Sequence, residues 1–164
     1  MTASDMPVGW TAVIDATWSG AKDPVPCSGV PTPVSIVGAG GSAAEFRKDG
    51  SDALVVEYLV RPTDPAAAYV AAVHRLQTPT SCAQSIDGHV TSSTYQRVIP
   101  VRRFGAPQVA MLMANDADGV RTQAGYVVVR SGPYVLVVGS AGTSSLDQPA
   151  LESFTASALG KLVP

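Results

Sequence analysis

The residues of this 164-residue chain with the most chemical potential fall in a few short stretches. The densest is VSIVGAGGSAAEF, where Gly38, Gly40 and Ala43 keep G-x-G-x-x-G/A spacing after an apolar run, and Glu57 follows 19 residues after Gly38. In a dinucleotide site such glycines let the backbone approach a pyrophosphate at a helix N-terminus, and the acid holds the ribose hydroxyls. That helix would have to fit between Ser42 and Lys48, before Asp49-Gly50 breaks it. The span is too short for a crossover, which needs about ten residues or more. Glu57 is also followed by Tyr58, Leu59 and Val60 inside its run rather than closing it. The stretch reads as a glycine loop, and no cofactor is expected.

Asn115-Asp116-Ala117-Asp118-Gly119 resembles the start of a calcium loop. The bidentate Glu six positions past the glycine of an EF-hand is absent, with Gly125 in its place, so a hairpin turn is the expectation. Histidine is represented by His74 and His89 alone, too few for a His/Cys/Asp metal cluster, and no metal is expected. No G-x-S-x-G elbow occurs. A hydrolytic triad would have to assemble from separated residues, and the expectation is a protein that is not an enzyme. Arg97, Arg102 and Arg103 form the one local concentration of positive charge, with Tyr95 and Phe104 beside them. Guanidinium groups next to an aromatic ring can hold a carboxylate, phosphate or sugar-rich ligand. Arg97 and Arg103 share a face if one strand runs through them, with Pro100 able to break that register. Arg97, Arg103 and Tyr95 are the candidate ligand-binding residues. The competing reading is a strand face or edge guarded by charge.

Cys27 and Cys82 lie in polar, turn-like settings, DPVPCSG and TPTSCAQ. The even count permits one disulfide. A bridge fits those settings better than two buried thiols, and it points to an oxidising compartment. The first residues, MTASDMPVGW, have neither the basic n-region nor the apolar h-region of a signal peptide. No apolar run approaches the roughly 18 residues of a membrane span. Export would then rest on a leader or anchor outside these residues.

The elements that must position these groups follow from periodicity. Residues 1–9 read as a tail or entry segment, and Trp10–Trp18 alternates as a half-buried strand. A Pro/Gly-rich loop follows from Gly20 and ends in Gly38, Gly40 and Gly41 around a short apolar run at Val34–Val37. Ala43–Lys48 and Ala53–Arg61 flank an Asp-Gly turn as a hairpin. Asp64 caps a helix with Pro65 at its first position, and Tyr69, Val70, Val73 and Leu76 recur at helical spacing until Thr78-Pro79. Val90–Val101, Ala106–Ala114, Val120–Arg130 and Tyr134–Val138 are strand-like, with short turns that suggest an antiparallel meander. A last helix carries Leu151, Phe154, Ala158, Leu159 and Leu162 on one face. Its cap is Asp147, or a box formed by Ser145 and Gln148. The expectation is one α+β domain over residues 1–164, an antiparallel sheet of about six strands with two helices packed on it.

Composition agrees with one domain. The chain is 46% hydrophobic and 15% charged, and a chain of this length buries roughly 70% of its unfolded surface. Eleven Lys and Arg stand against 13 Asp and Glu, a net charge of −2. That balance argues against nucleic acid and against an anionic membrane surface as partners.

With these elements laid out, the chain resembles the PknH-like family, the extracellular sensor domains of actinobacterial serine/threonine kinases and related lipoproteins. The resemblance is carried by Met6-Pro7-Val8-Gly9-Trp10, Cys27 in its Pro-rich loop, Ala43-Ala44-Glu45-Phe46, the Asp64–Gln77 helix, and Cys82. Tyr126–Arg130, Gly132–Val138 and the last helix complete it. It implies a non-enzymatic, envelope-exposed sensor module, secreted, lipid-anchored or membrane-tethered, that binds an unidentified small-molecule or cell-envelope ligand. Cys27–Cys82 carries over as its structural bridge. The kinase sensor resembles a two-disulfide domain, whereas this chain has cysteines for one. A second resemblance, to actinobacterial lipoproteins of Mog1/PsbP-like fold, rests on the Pro7–Trp10 opening and implies a scaffold that binds another envelope protein.

Overall fold

The computed structural model describes residues 1–13, 41–77, 84–86, 89–117, 120–142 and 145–162. Both cysteines, the Gly38 and Gly40 positions and the Val34–Val37 run lie outside the described residues.

A short 3-10 turn at Ala3–Asp5 leads into β1 (Trp10–Ala12), β2 (Ser42–Lys48) and β3 (Leu54–Val60). Helix α1 (Pro65–Gln77) follows. Next come β4 (Gln84–Ile86), β5 (His89–Val98), β6 (Gln108–Ala117), β7 (Val120–Ser131), β8 (Tyr134–Gly142) and helix α2 (Gln148–Gly160). The described strands form one antiparallel sheet of eight, in the order β1-β2-β3-β8-β7-β6-β5-β4. The fold is α+β as expected, with more strands than the expected six. β4 is three polar-flanked residues, too short for periodicity to reveal. β8 runs past Val138 through Gly139 to Gly142, where glycine and serine hide the strand pattern.

The two helices lie on opposite faces of the sheet. The cause is visible in β7 and β8, where Val127, Val128 and Val129, and Val135 through Val138, are all fully buried. Successive strand residues point to opposite sides, so continuous apolar runs need cover on both. On one face α2 contributes Leu151, Phe154 and Ala158 to a core with Phe46, Val55, Leu112, Val127, Leu136 and Val138. On the other, α1 contributes Ala72 and Leu76 against Tyr58, Met111, Met113, Tyr126, Val128 and Val137.

Helix α1 starts where Asp64 Oδ1 accepts from the N–H groups of Ala66 and Ala67, each at 3.0 Å. Of the expected positions Tyr69, Val73 and Leu76 are at least partly buried, and Val70 is the exception. Ala72 and Leu76 are inward, while Val70 is 64% exposed. The segment PAAAYVAAVHRLQ is apolar nearly all round, so spacing alone does not choose a face. In α2, Asp147 is the cap, its Oδ1 accepting from Ala150 N–H at 3.0 Å. Residues 1–9 are an entry segment and not a tail. Met6 is buried in the α2-side core, and the Met1 ammonium pairs with the Glu57 carboxylate. Asp5 accepts from Lys161 Nζ at 2.8 Å. The Lys161 ammonium, with the Thr2 N–H and hydroxyl, holds the Asp5 carboxyl well below the usual carboxylate range.

Tyr126 is 4% exposed at the centre of β7, and no described residue hydrogen-bonds its hydroxyl. Burial pushes its phenol well above the ordinary value of 10.0. Tyr126→Phe is therefore expected to raise stability by about 1 kcal/mol, because a desolvated, unpaired hydroxyl is removed. The folded-state pKa lies above the unfolded one, so wild-type stability is intact below pH 10 and falls as pH rises beyond it. Urea unfolding from neutral to alkaline pH should show a shallower decline in the Phe variant. Loss of stability at neutral pH would contradict this assignment.

Candidate functional site

Chain between β5 and β6 builds the best-formed depression that bears one of the sequence-predicted arginines. Pro100, which has no N–H to give a ladder, follows the end of β5, although Ile99 N–H still reaches Ala110 O at 3.1 Å. Residues 99–107 then form an arm held at several points. The Gln108 side chain clamps its base, its Oε1 accepting from Phe104 N–H and its Nε2 donating to Arg102 O, both at 2.7 Å. Gln148, at the start of α2, donates to Pro100 O at 2.6 Å and to Glu152 Oε1 at 2.9 Å. Pro107 O accepts from Arg130 N–H at 3.0 Å. Gly105 makes the bend at φ 75°, in the left-handed region where a side chain is strained.

Beneath the arm is an open cavity of about 640 Å³, lined by Val98, Ile99, Val101, Ala106, Pro107 and Val109 together with Arg103 and Gln108. Arg103 is the only titratable residue among those lining it. The other side of Gly105–Pro107 faces a second depression of about 530 Å³, where Asp64, Arg130, Ser131 and Gly132 meet. The Arg102 guanidinium is 5.2 Å from the Phe104 ring centroid. No ion-pair partner for Arg97 or Arg103 occurs among the described residues. A mainly apolar space with one unpaired guanidinium can seat an anion that carries an apolar part.

The expected trio is only partly assembled. Arg103 lines the cavity, whereas Arg97 stays on β5 opposite Leu112 and is not part of the lining. The strand ends at Val98, so Arg97 and Arg103 do not share one strand face. Tyr95 pairs with Ala114 in the ladder, two positions from Arg97, and its side chain lies outside the described residues. Sequence reasoning missed Gln108 and Gln148, whose roles depend on contacts across the fold. Gln108→Met is expected to remove both arm clamps and cost about 1–2 kcal/mol. Hydrogen exchange at the Phe104 amide should then accelerate; unchanged exchange would mean the arm is held by other contacts.

The remaining candidates are placed as follows. Ser42–Lys48, where a dinucleotide helix would begin, is strand β2, and Glu57 sits mid-strand opposite Val138. Ala117 pairs with Val120, closing the β6–β7 hairpin, while the Asp116 side chain and residues 118–119 lie outside the described residues. His74 is exposed on α1, and the His89 side chain is outside the described residues. Among the described residues no three His, Cys, Asp or Glu side chains are grouped to hold a metal ion. No described helix is long and apolar enough to cross a membrane.

No family model and no curated protein matches the chain. Solved structures that are similar in part include two. One is the extracellular domain of PknH from Mycobacterium tuberculosis, at 10% identity and TM-score 0.48 over 75% of this chain. This chain spans 65% of that domain's length. The other is PA94 from Pseudomonas aeruginosa, a protein of unknown function, at 20% identity and TM-score 0.37 over 77% of this chain and 85% of the other. At these values the likeness is loose, and nothing about binding follows from it.

Proposed function

We propose that this chain is a non-enzymatic, sensor-like ligand-binding domain that works outside the cytoplasm. Its site is the cavity under the β5–β6 arm, and its ligand is a small carboxylate or phosphate with an apolar portion. The observation that carries the reading is Arg103, unpaired among the described residues, in the lining of a mainly apolar cavity whose other polar side chain, Gln108, is engaged by Phe104 N–H and Arg102 O. A guanidinium stays charged and neither gives nor takes a proton, so the lining offers recognition without general acid–base chemistry. A charge-assisted hydrogen bond of this kind contributes about 1.5–3 kcal/mol. Calorimetric titration should show octyl phosphate binding more tightly than either octanol or inorganic phosphate. Equal affinity for octanol would remove Arg103 from the account.

Location outside the cytoplasm rests on the bridge expected between Cys27 and Cys82. Thiol titration of the denatured, unreduced protein is expected to find none, and two free thiols would reverse this part of the reading.

One observation favours the scaffold reading. The outer side of α1 presents Ala66, Ala67, Val70 and Ala71 around a shallow depression of about 590 Å³, with Val70 64% exposed. Apolar surface of this kind suits a protein partner. Crosslinking in intact cells separates the two, since a scaffold gives a discrete protein adduct that Val70→Lys abolishes.

A further inference from the structure

We propose that the second depression, on the other side of Gly105–Pro107, binds a small zwitterion of the α-amino acid class, with Arg130 taking its carboxylate and Asp64 its ammonium. The inference goes beyond the anion reading of the first cavity and rests on different charged residues. The depression measures about 530 Å³, and its lining brings together the start of α1, the β7–β8 turn and the Gly105–Pro107 segment.

Two opposite charges line this space without meeting. Arg130 stands opposite Val135 in the ladder, and both Val135 and Val128 belong to the α1-side core, so strand alternation carries the Arg130 side chain to the α1 face. The Tyr69 phenol on α1 agrees with that direction: burial pushes it up, and the Arg130 charge acts against the rise. Asp64 and Arg130 form no ion pair with each other. Neither the Arg130 guanidinium nor Asp64 Oδ2 has a hydrogen-bond or ion-pair partner among the described residues. Both residues are nevertheless held in place, Arg130 by its N–H bond to Pro107 O at 3.0 Å and Asp64 by the Ala66 and Ala67 N–H groups on Oδ1. Those two amides are taken by Asp64, and the next, Ala68 N–H, donates to Asp64 O at 3.0 Å. The anion binder here is therefore the guanidinium and not the helix end.

The pair selects by attraction and by repulsion together. A guanidinium without a partner takes a carboxylate through parallel N–H donors, and a capping carboxylate with one oxygen to spare takes an ammonium. A simple anion in the same space meets the like charge of Asp64, and a simple cation meets that of Arg130. A molecule carrying both charges a few atoms apart satisfies each residue and is repelled by neither. Pro65, Ala66, Ala106 and Pro107 supply apolar surface for a short ligand side chain, and Ser131 lies beside them. The first cavity has no acid in its lining, so this selection belongs to the second depression alone. Because both charges stand on a rigid strand and a capped helix end, little ordering is left for the ligand to bring about.

Titration of isotopically labelled protein with L-alanine, propionate, ethylamine and methyl glucoside, read by backbone amide shifts, tests the assignment. L-Alanine is expected to shift the amides of Asp64, Ala66, Arg130 and Gly132 and to bind about 10-fold or more tightly than each of the other three, since each lacks at least one of the two charge-assisted contacts. Asp64→Asn keeps a good helix cap and should abolish the preference, leaving L-alanine and propionate alike. That loss of selectivity is a readout that a merely structural role of Asp64 would not move. Arg130→Gln should weaken L-alanine binding about 10- to 100-fold, and Arg130→Lys should recover part of it. Thermal melts verify that the variants fold, and the Asp64→Asn result stands even if Arg130→Gln does not. Absence of L-alanine binding at millimolar concentration, equal binding of propionate or methyl glucoside, or a preference that survives in folded Asp64→Asn would overturn the proposal. So would shifts centred on Val98–Val101, which belong to the first cavity.

Discussion

Phe154→Ala is expected to lower the free energy of unfolding by about 3–5 kcal/mol, the usual cost of deleting a buried aromatic ring. Phe154 is 5% exposed in the middle of α2, and its ring meets Trp10 edge-on, with centroids 5.4 Å apart and planes at 73°. Trp10 belongs to the three-residue edge strand β1, which is too short to be stable alone. The contact therefore fastens the sheet edge to the helix that covers the same face. Such edge-to-face pairs add about 0.5–1.5 kcal/mol beyond burial. Urea denaturation followed by Trp fluorescence measures the loss. Ser153→Ala, on the exposed side of the same helix, should change stability by less than about 0.5 kcal/mol. A Phe154→Ala cost below about 1 kcal/mol would mean that α2 is not docked as described.

Gly139→Val should cost roughly 3 kcal/mol, at the upper end of what overpacking does. A Cβ at Gly139 would lie 2.7 Å from Tyr126 Cε1 and 2.9 Å from Val56 Cγ2, distances that real Cβ atoms do not show. The Tyr126 ring crosses from β7 over this gap in β8 towards β3. Propensity alone argues the opposite sign, since valine is a better strand residue than glycine. The direction of the change is thus decisive. Shortening the ring in Tyr126→Leu should recover much of the loss, a coupling that a double-mutant cycle reads directly. A neutral or stabilising Gly139→Val would refute the packing of Tyr126 over β8.

Gly139 also shows why part of the fold was hidden in the sequence. Alternation and turn chemistry suffice for the β2–β3 hairpin, the β5–β8 meander and both helices, including Asp64 and Asp147 as caps. Those features are local, with each residue's neighbours lying within a few positions. The extension of β8 through Gly139 was obscured because glycine there answers a ring from the next strand. The uninterrupted Val127–Val129 and Val135–Val138 runs already carried the requirement for cover on both faces. The exposure of Val70 was unreadable, since α1 is apolar around most of its circumference. At the site, Arg103 was legible as charge beside an aromatic residue. The separation of Arg97 from it depends on where Pro100 ends the strand. Gln108 and Gln148 act through contacts with Arg102, Phe104 and Pro100, and the Gln148–Pro100 contact spans 48 residues. Polar residues at such positions look ordinary until the chain is folded.

In the proposed reading, the arm from Ile99 to Pro107 frames a site for an anion with an apolar portion. Titrating isotopically labelled protein with octyl phosphate, while following backbone amide shifts, locates the binding residue by residue. The shifts are expected to concentrate between Val98 and Ala110, and Arg103→Gln should weaken the binding about 10- to 100-fold without altering the unbound spectrum elsewhere. Shifts centred away from this segment, or an affinity indifferent to Arg103→Gln, would contradict the claim.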